Sequence, residues 1–182
     1  MTSLPALGVP LLFDYLFWIR DRVLAAAQGL DDHAFQNTPT LHGRDLRATL
    51  VHEIDIEIGW RGRLRGLPES DWGDAAGLDP ARFPSLLSVA DRWRAEEQST
   101  RAWIAPLSDA DLDAHVFLNR LEGYPLSIYL LHMVEHGVTE LTTAAAILNE
   151  LGRPVGDIGV LDALDDLAPM ARTQDLPQEP AT

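Results

Sequence analysis

The chain has 182 residues, a formal net charge of −14 and no cysteine. That length fits one domain with a sizeable core, and the missing thiols exclude disulfides, zinc ribbons and a cysteine nucleophile. The acid excess excludes duplex-binding and anionic-lipid-docking surfaces, which need clustered cations, and with all fourteen basic residues arginine there is no lysine for a Schiff base.

The opening stretch, MTSLPALGVPLLFDYLFWIR, has no basic start, and Asp14 interrupts its apolar run well short of a bilayer span. It reads as the lead into a helix, not as a signal or membrane segment, and the chain reads as cytoplasmic. From Pro10 to Gly29, apolar residues Leu12, Tyr15, Leu16, Ile19, Val23 and Ala26 recur at helical steps. Asp31–Gly43 is rich in turn formers and is expected to be a loop.

A second helix is expected over Arg44–Leu64, closing near Gly66. Leu46, Leu50, Ile54 and Ile58 share one face, into which Glu57 and Arg61 intrude; His52 lies on another side among mostly small residues, and Asp55 reads as a surface charge. The Leu67–Pro84 connection is too long for a tight hairpin and is free to cross the end of a bundle. A third helix is expected over Ser85–Ile104, with Ser85 as its cap and Arg92–Arg101 mostly solvated. Ser108–Pro125 suits a short hairpin or an irregular loop.

The fourth helix should run from Pro125 to Leu151, with Gly152 as its stop. A wheel gathers Glu135, Thr139, Thr142, Asn149 and Glu150 on a solvent face and Leu130, Leu131, Val134, Val138, Leu141, Ala145 and Leu148 on a core face. His132, His136 and Glu140 follow at steps of four, which stacks them on one side of a helix. His136 and Glu140 fall outside the solvent face, and inward-pointing groups of that kind need a partner, of which a metal ion is one. A hydrogen-bonded network with Tyr129 or Thr143 is the alternative, and His132 lies at the edge of the solvent face. His33, His42 and His115 sit in presumed loops and read as solvated. Val160–Leu167 suits a short helix; the domain is expected to cover 1–168, and the proline-bearing tail, 169–182, to be disordered.

Helix two, LRATLVHEIDIEIGWRGRLRG, and helix four, PLSIYLLHMVEHGVTELTTAAAILNELGRPV, resemble the DinB/YfiT-like family of small helical metalloproteins. The resemblance runs in register from about Phe13 to Leu164. It implies an all-α, four-helix bundle in up-down-down-up order, often homodimeric, with a divalent ion held by one helix-two histidine and two residues of the last bundle helix. Matched position by position, the implied ligands are His52, His136 and Glu140, the last standing where the family usually has a histidine. A His–His–Glu set suits Zn²⁺ first, with Ni²⁺, Mn²⁺ or Fe²⁺ as alternatives. The resemblance further implies a transferase that joins a low-molecular-weight thiol to an electrophile. With no cysteine in the chain, the thiol is a cosubstrate. A metal-dependent hydrolase and a non-catalytic helical dimer with a structural or vestigial polar site are the other readings.

Overall fold

The computed structural model describes residues 8–72, 77–118 and 123–172. It is all-α apart from a two-residue ribbon. The helices are α1 (Gly8–Ala27), α2 (Asp32–Gln36), α3 (Leu46–Leu64), α4 (Leu86–Ile104), α5 (Asp109–Asp113), α6 (Leu126–Glu150) and α7 (Val160–Arg172). The four long ones, α1, α3, α4 and α6, are the bundle helices expected from the periodicity. Where four helices and a C-terminal appendage were expected, three short helices, rather than one, accompany the four.

The sequence signals that place the long helices are visible as contacts. Asp45 caps α3 by accepting from the Ala48 amide at 2.7 Å. Ser85 and Ser88 form a reciprocal capping box at the start of α4. Gly152, just past α6, has a φ of +71°, the left-handed conformation that ends a helix with least strain in glycine. Beginning α3 at Leu46 leaves Arg44 outside the helix, in a bridge with Leu41. That displacement matters for the site below.

One expectation for a loop is corrected, and a second stretch takes one of the two forms expected of it. Asp31 is a turn former, but its carboxylate accepts from the Ala34 amide and starts α2, whose Phe35 is fully buried. Between Ser108 and Pro125, the short helix α5 is followed by an antiparallel pair, His115–Val116 with Tyr124–Pro125. The hairpin reading is therefore the one observed. In the C-terminal segment, α7 extends to Arg172, through the first residues of the tail expected to be disordered, and 173–182 lie outside the described residues. Tyr15 donates to the Ile158 carbonyl at 2.9 Å and the Trp18 indole to Asp166 at 3.0 Å, so α7 is fastened to α1.

α6 packs on α1 and α3, and α4 packs on the same two helices from the opposite side. Phe13, Phe17, Leu50, Ile54, Trp93, Leu130 and Leu141 fill the space between them and are wholly buried. Each such side chain contributes roughly 1.5–3 kcal/mol through its burial. On α6, the solvent face is as expected, but Leu131 of the expected core face is exposed, while Met133, Ala144 and Ile147 are buried. Glu57 and Arg61, which interrupt the apolar face of α3, are buried and answered by α4. Trp93 and Thr100 donate to Glu57 at 3.0 and 2.6 Å, and Arg61 bonds Thr100 and the Glu96 carboxylate. Glu96 and Thr100 therefore face inward, which corrects the solvated reading of that stretch.

Candidate metal centre

The α3–α6 seam brings together residues 84 and more positions apart in the chain. His52 projects from α3, and His136 and Glu140 project from successive turns of α6. One ligand atom from each lies within 4.8 Å of the others. The His52 and His136 ring centroids are 5.7 Å apart. Both histidines are half-buried and Glu140 is buried. All three implied ligands are thus gathered. His132, one turn earlier on α6, is exposed and stands outside the cluster, its ring 6.3 Å from that of His136.

Two further residues complete the arrangement, and neither was among the expected ones. Glu53 carries a carboxylate 2.7 Å from Nδ1 of His136. With Nδ1–H donating to Glu53, the imidazole presents Nε2 as its free electron pair, the tautomer a metal ligand needs. The glycine after His136 permits this. A Cβ on Gly137 would lie 2.8 Å from a Glu53 carboxylate oxygen and 2.6 Å from a Leu16 methyl. Arg44 is the second addition. Its Nη2 donates at 2.7 Å to both oxygens of Glu140. Arg44 stands in the segment before α3, and from there its guanidinium reaches the α6 carboxylate.

The local charges follow from burial and these contacts. Burial pushes the Glu53 carboxyl up to about 7, against the lowering effect of His136. The Glu53 bond holds His136 above the usual histidine range, while burial opposes that rise. Burial and then the nearby Arg44 charge hold His52 below that range. That lowering favours the neutral ring, the form in which an imidazole donates an electron pair. Tyr129 and Thr143, the alternative partners, bond elsewhere: Tyr129 to the Val116 carbonyl and Thr143 to the Thr139 carbonyl.

Two imidazoles and a carboxylate are a borderline-to-hard donor set that suits divalent ions such as Zn²⁺. Donors around a tetrahedral ion lie roughly 3.4 Å apart, given bond lengths near 2.1 Å. The observed spread requires a contraction of up to about 1.4 Å, within reach of side-chain rotation. The residues fit a divalent ion, with the qualification that Glu140 must share its oxygens with Arg44 or exchange them. Asp55, one turn beyond His52, is not part of this set; its carboxylate accepts from the Leu78 amide at 3.1 Å and fastens the α3–α4 connection.

No helix among the described residues is long and apolar enough to cross a membrane. The family model described as DinB superfamily matches residues 15–143, a stretch that includes His52, His136 and Glu140. No curated protein matches the chain.

Proposed function

The chain belongs to the DinB superfamily, and from that footing we propose that it is a metal-dependent transferase that joins a low-molecular-weight thiol to an electrophile. The observation that carries the metal half is the convergence of one ligand atom each from His52, His136 and Glu140 within 4.8 Å. The directions of the bundle helices support the family's up-down-down-up order. Arg44, just before α3, and Glu53 and Trp60 of α3 meet Glu140, His136 and Tyr129 of α6 in reversed sequence. Glu57 and Arg61 meet Trp93 and Glu96 of α4 in the same sequence, and Asp14 and Arg20 of α1 meet Arg101 and Glu97 of α4 in reversed sequence.

His52, His136 and Glu140 would hold the ion. A bound divalent ion supplies positive charge that lowers the pKa of a thiol or water beside it. Three protein donors leave a coordination position for substrate. Glu53 fixes the His136 tautomer and orientation. Arg44 holds Glu140 and balances its charge in the absence of a second cation. In the addition reaction, the sulfur gives an electron pair to an electrophilic carbon of the acceptor, the S–C bond forms, and the thiol proton ends on the acceptor. With no cysteine in the chain, both reactants come from solution. The thiol chemistry rests on family likeness, and the metal site on geometry.

One observation favours a second reading. The Arg44–Glu140 pair already neutralises the buried carboxylate, as it would if the stripe were a structural polar network. A conjugation assay decides between the readings. Metal-loaded protein is given a panel of low-molecular-weight thiols and a conjugated carbonyl acceptor, and thioether formation is followed. The transferase reading requires turnover that is lost with chelator and in His136→Ala. Turnover of an ester or amide without thiol would replace it with hydrolysis.

A further inference from the structure

Beside the His52–His136–Glu140 cluster lies a cleft of about 730 Å³, lined by aromatic rings. That volume is in the range of small-molecule sites. The rings form a connected row: His132 lies 5.2 Å from Trp60, Trp60 lies 5.9 Å from Tyr129, and Tyr129 lies 6.0 Å from Tyr124. His132 belongs to both ends, because its ring is also 6.3 Å from that of His136. Arg63 stands over the far side of the cleft, its guanidinium carbon 5.8 Å from the Trp60 ring and 5.2 Å from the Trp72 ring. Among the described residues no carboxylate lines the cleft, and among them Arg63 makes no ion pair. On a chain of net charge −14, a recess whose described lining holds a cation and no acid is a place where an anion meets little repulsion.

We propose that this cleft is a binding subsite for a flat aromatic carboxylate, its ring against Trp60 and Tyr124 and its charge on Arg63. Aromatic faces and edges favour a second planar ring. A guanidinium already stacked on two indoles is pre-oriented to present its N–H groups to an anion. The ligand's other end then points along His132 toward the metal ligands. The proposal deepens the transferase reading by naming the class of acceptor, an aryl carboxylate whose separate electrophilic carbon (a conjugated carbonyl) lies at the end toward the metal ligands. It rests on that reading only for what happens to the ligand after binding.

Binding is therefore measured first on the full chain freed of metal with chelator, by calorimetric titration with 2-naphthoate and with its uncharged methyl ester. The acid should bind, and the ester about tenfold or more weakly, because a hydrogen bond to a charged partner is being removed. Arg63→Ala should weaken the acid by a similar factor without changing the ester, and Arg63→Lys should recover part of it. Tyr124→Ala, at an exposed ring, should weaken both ligands. His136→Ala should leave both unchanged. Equal affinity for acid and ester, indifference to Arg63→Ala, no binding at millimolar ligand, or binding that requires added Zn²⁺ would each overturn the subsite; the last places the carboxylate on the ion. Metal-free binding that persists when no ion can be loaded sustains the subsite while the transferase reading falls.

Discussion

Glu53 places a buried carboxylate 2.7 Å from Nδ1 of His136, and so decides which face of that imidazole is available for a metal ion. The two residues come from different helices, and Gly137 is what lets them meet. Replacing Glu53 by Gln keeps an acceptor for the His136 proton but removes the charge. Zn²⁺ affinity should fall by about 10- to 100-fold, the usual effect of disturbing a ligand's hydrogen-bond partner. Because a neutral amide is easier to bury than a carboxylate, the urea midpoint should hold or rise. A titration showing unchanged affinity would remove Glu53 from the site.

Gly137→Ala tests the close approach itself. Its Cβ would lie 2.6 Å from the Leu16 methyl and 2.8 Å from the Glu53 oxygen, closer than such atoms pack. The helix itself would welcome alanine, so any loss must come from that contact. Urea denaturation should show destabilisation of about 1–3 kcal/mol, the range for overpacking, with weakened Zn²⁺ binding alongside it.

Arg44→Ala separates the two roles open to that residue. If the guanidinium competes with a cation for Glu140, its removal should tighten Zn²⁺ binding roughly tenfold, since a like charge a few ångströms away is lost. The metal-free variant should be less stable, because Glu140 is buried with its partner gone. Added Zn²⁺ should then raise its melting temperature more than that of the parent chain. Weaker binding in the variant would mean that Arg44 is needed to hold Glu140 in place.

The acid limb of stability should depend on Glu97. Burial pushes its carboxyl upward, but bonds from Arg101 at 2.7 Å and Arg20 at 2.6 Å outweigh it and leave the group below its ordinary value of 4.5. Between those two values the unfolded chain binds more protons than the folded one. The stabilisation is therefore present above pH 4.5 and lost as pH falls through the folded value. Urea midpoints measured from pH 6 downward should decline less steeply in Glu97→Gln than in the parent.

The sequence made the long helices legible because each has apolar residues at three- and four-residue steps, and α3 and α4 also have a capping residue at the start. Ser85 and Gly152 stand where the spacing put them. His52, His136 and Glu140 were likewise readable from helical stacking on α6 together with the family likeness, and the structure gathers them. Arg44 and Glu53 were not. Arg44 reaches Glu140 from the segment before α3, which starts two residues later than periodicity implies, and boundaries of that kind depend on local capping by Asp45. Glu53 carries no signal in the sequence and Glu57 reads as a charge that spoils an apolar face, since a wheel reports which way a side chain points but not whether a neighbouring helix supplies it with a donor. His136 answers the first of these, and Trp93 and Thr100 the second. Short helices such as α2 escaped for a related reason, as one turn held by Asp31 and a buried Phe35 leaves no period to detect.

The whole account turns on a cation held between α3 and α6. Elemental analysis of protein purified without an affinity tag, paired with Zn²⁺ titration of chelator-treated protein, tests it directly. The account predicts about one equivalent of divalent ion per chain, with binding lost in His52→Ala and in His136→Ala while both variants remain helical by circular dichroism. Metal-free protein that takes up no Zn²⁺, Ni²⁺, Mn²⁺ or Fe²⁺ and unfolds at the same temperature with or without them would contradict it, leaving Arg44 as the only cation that Glu140 binds.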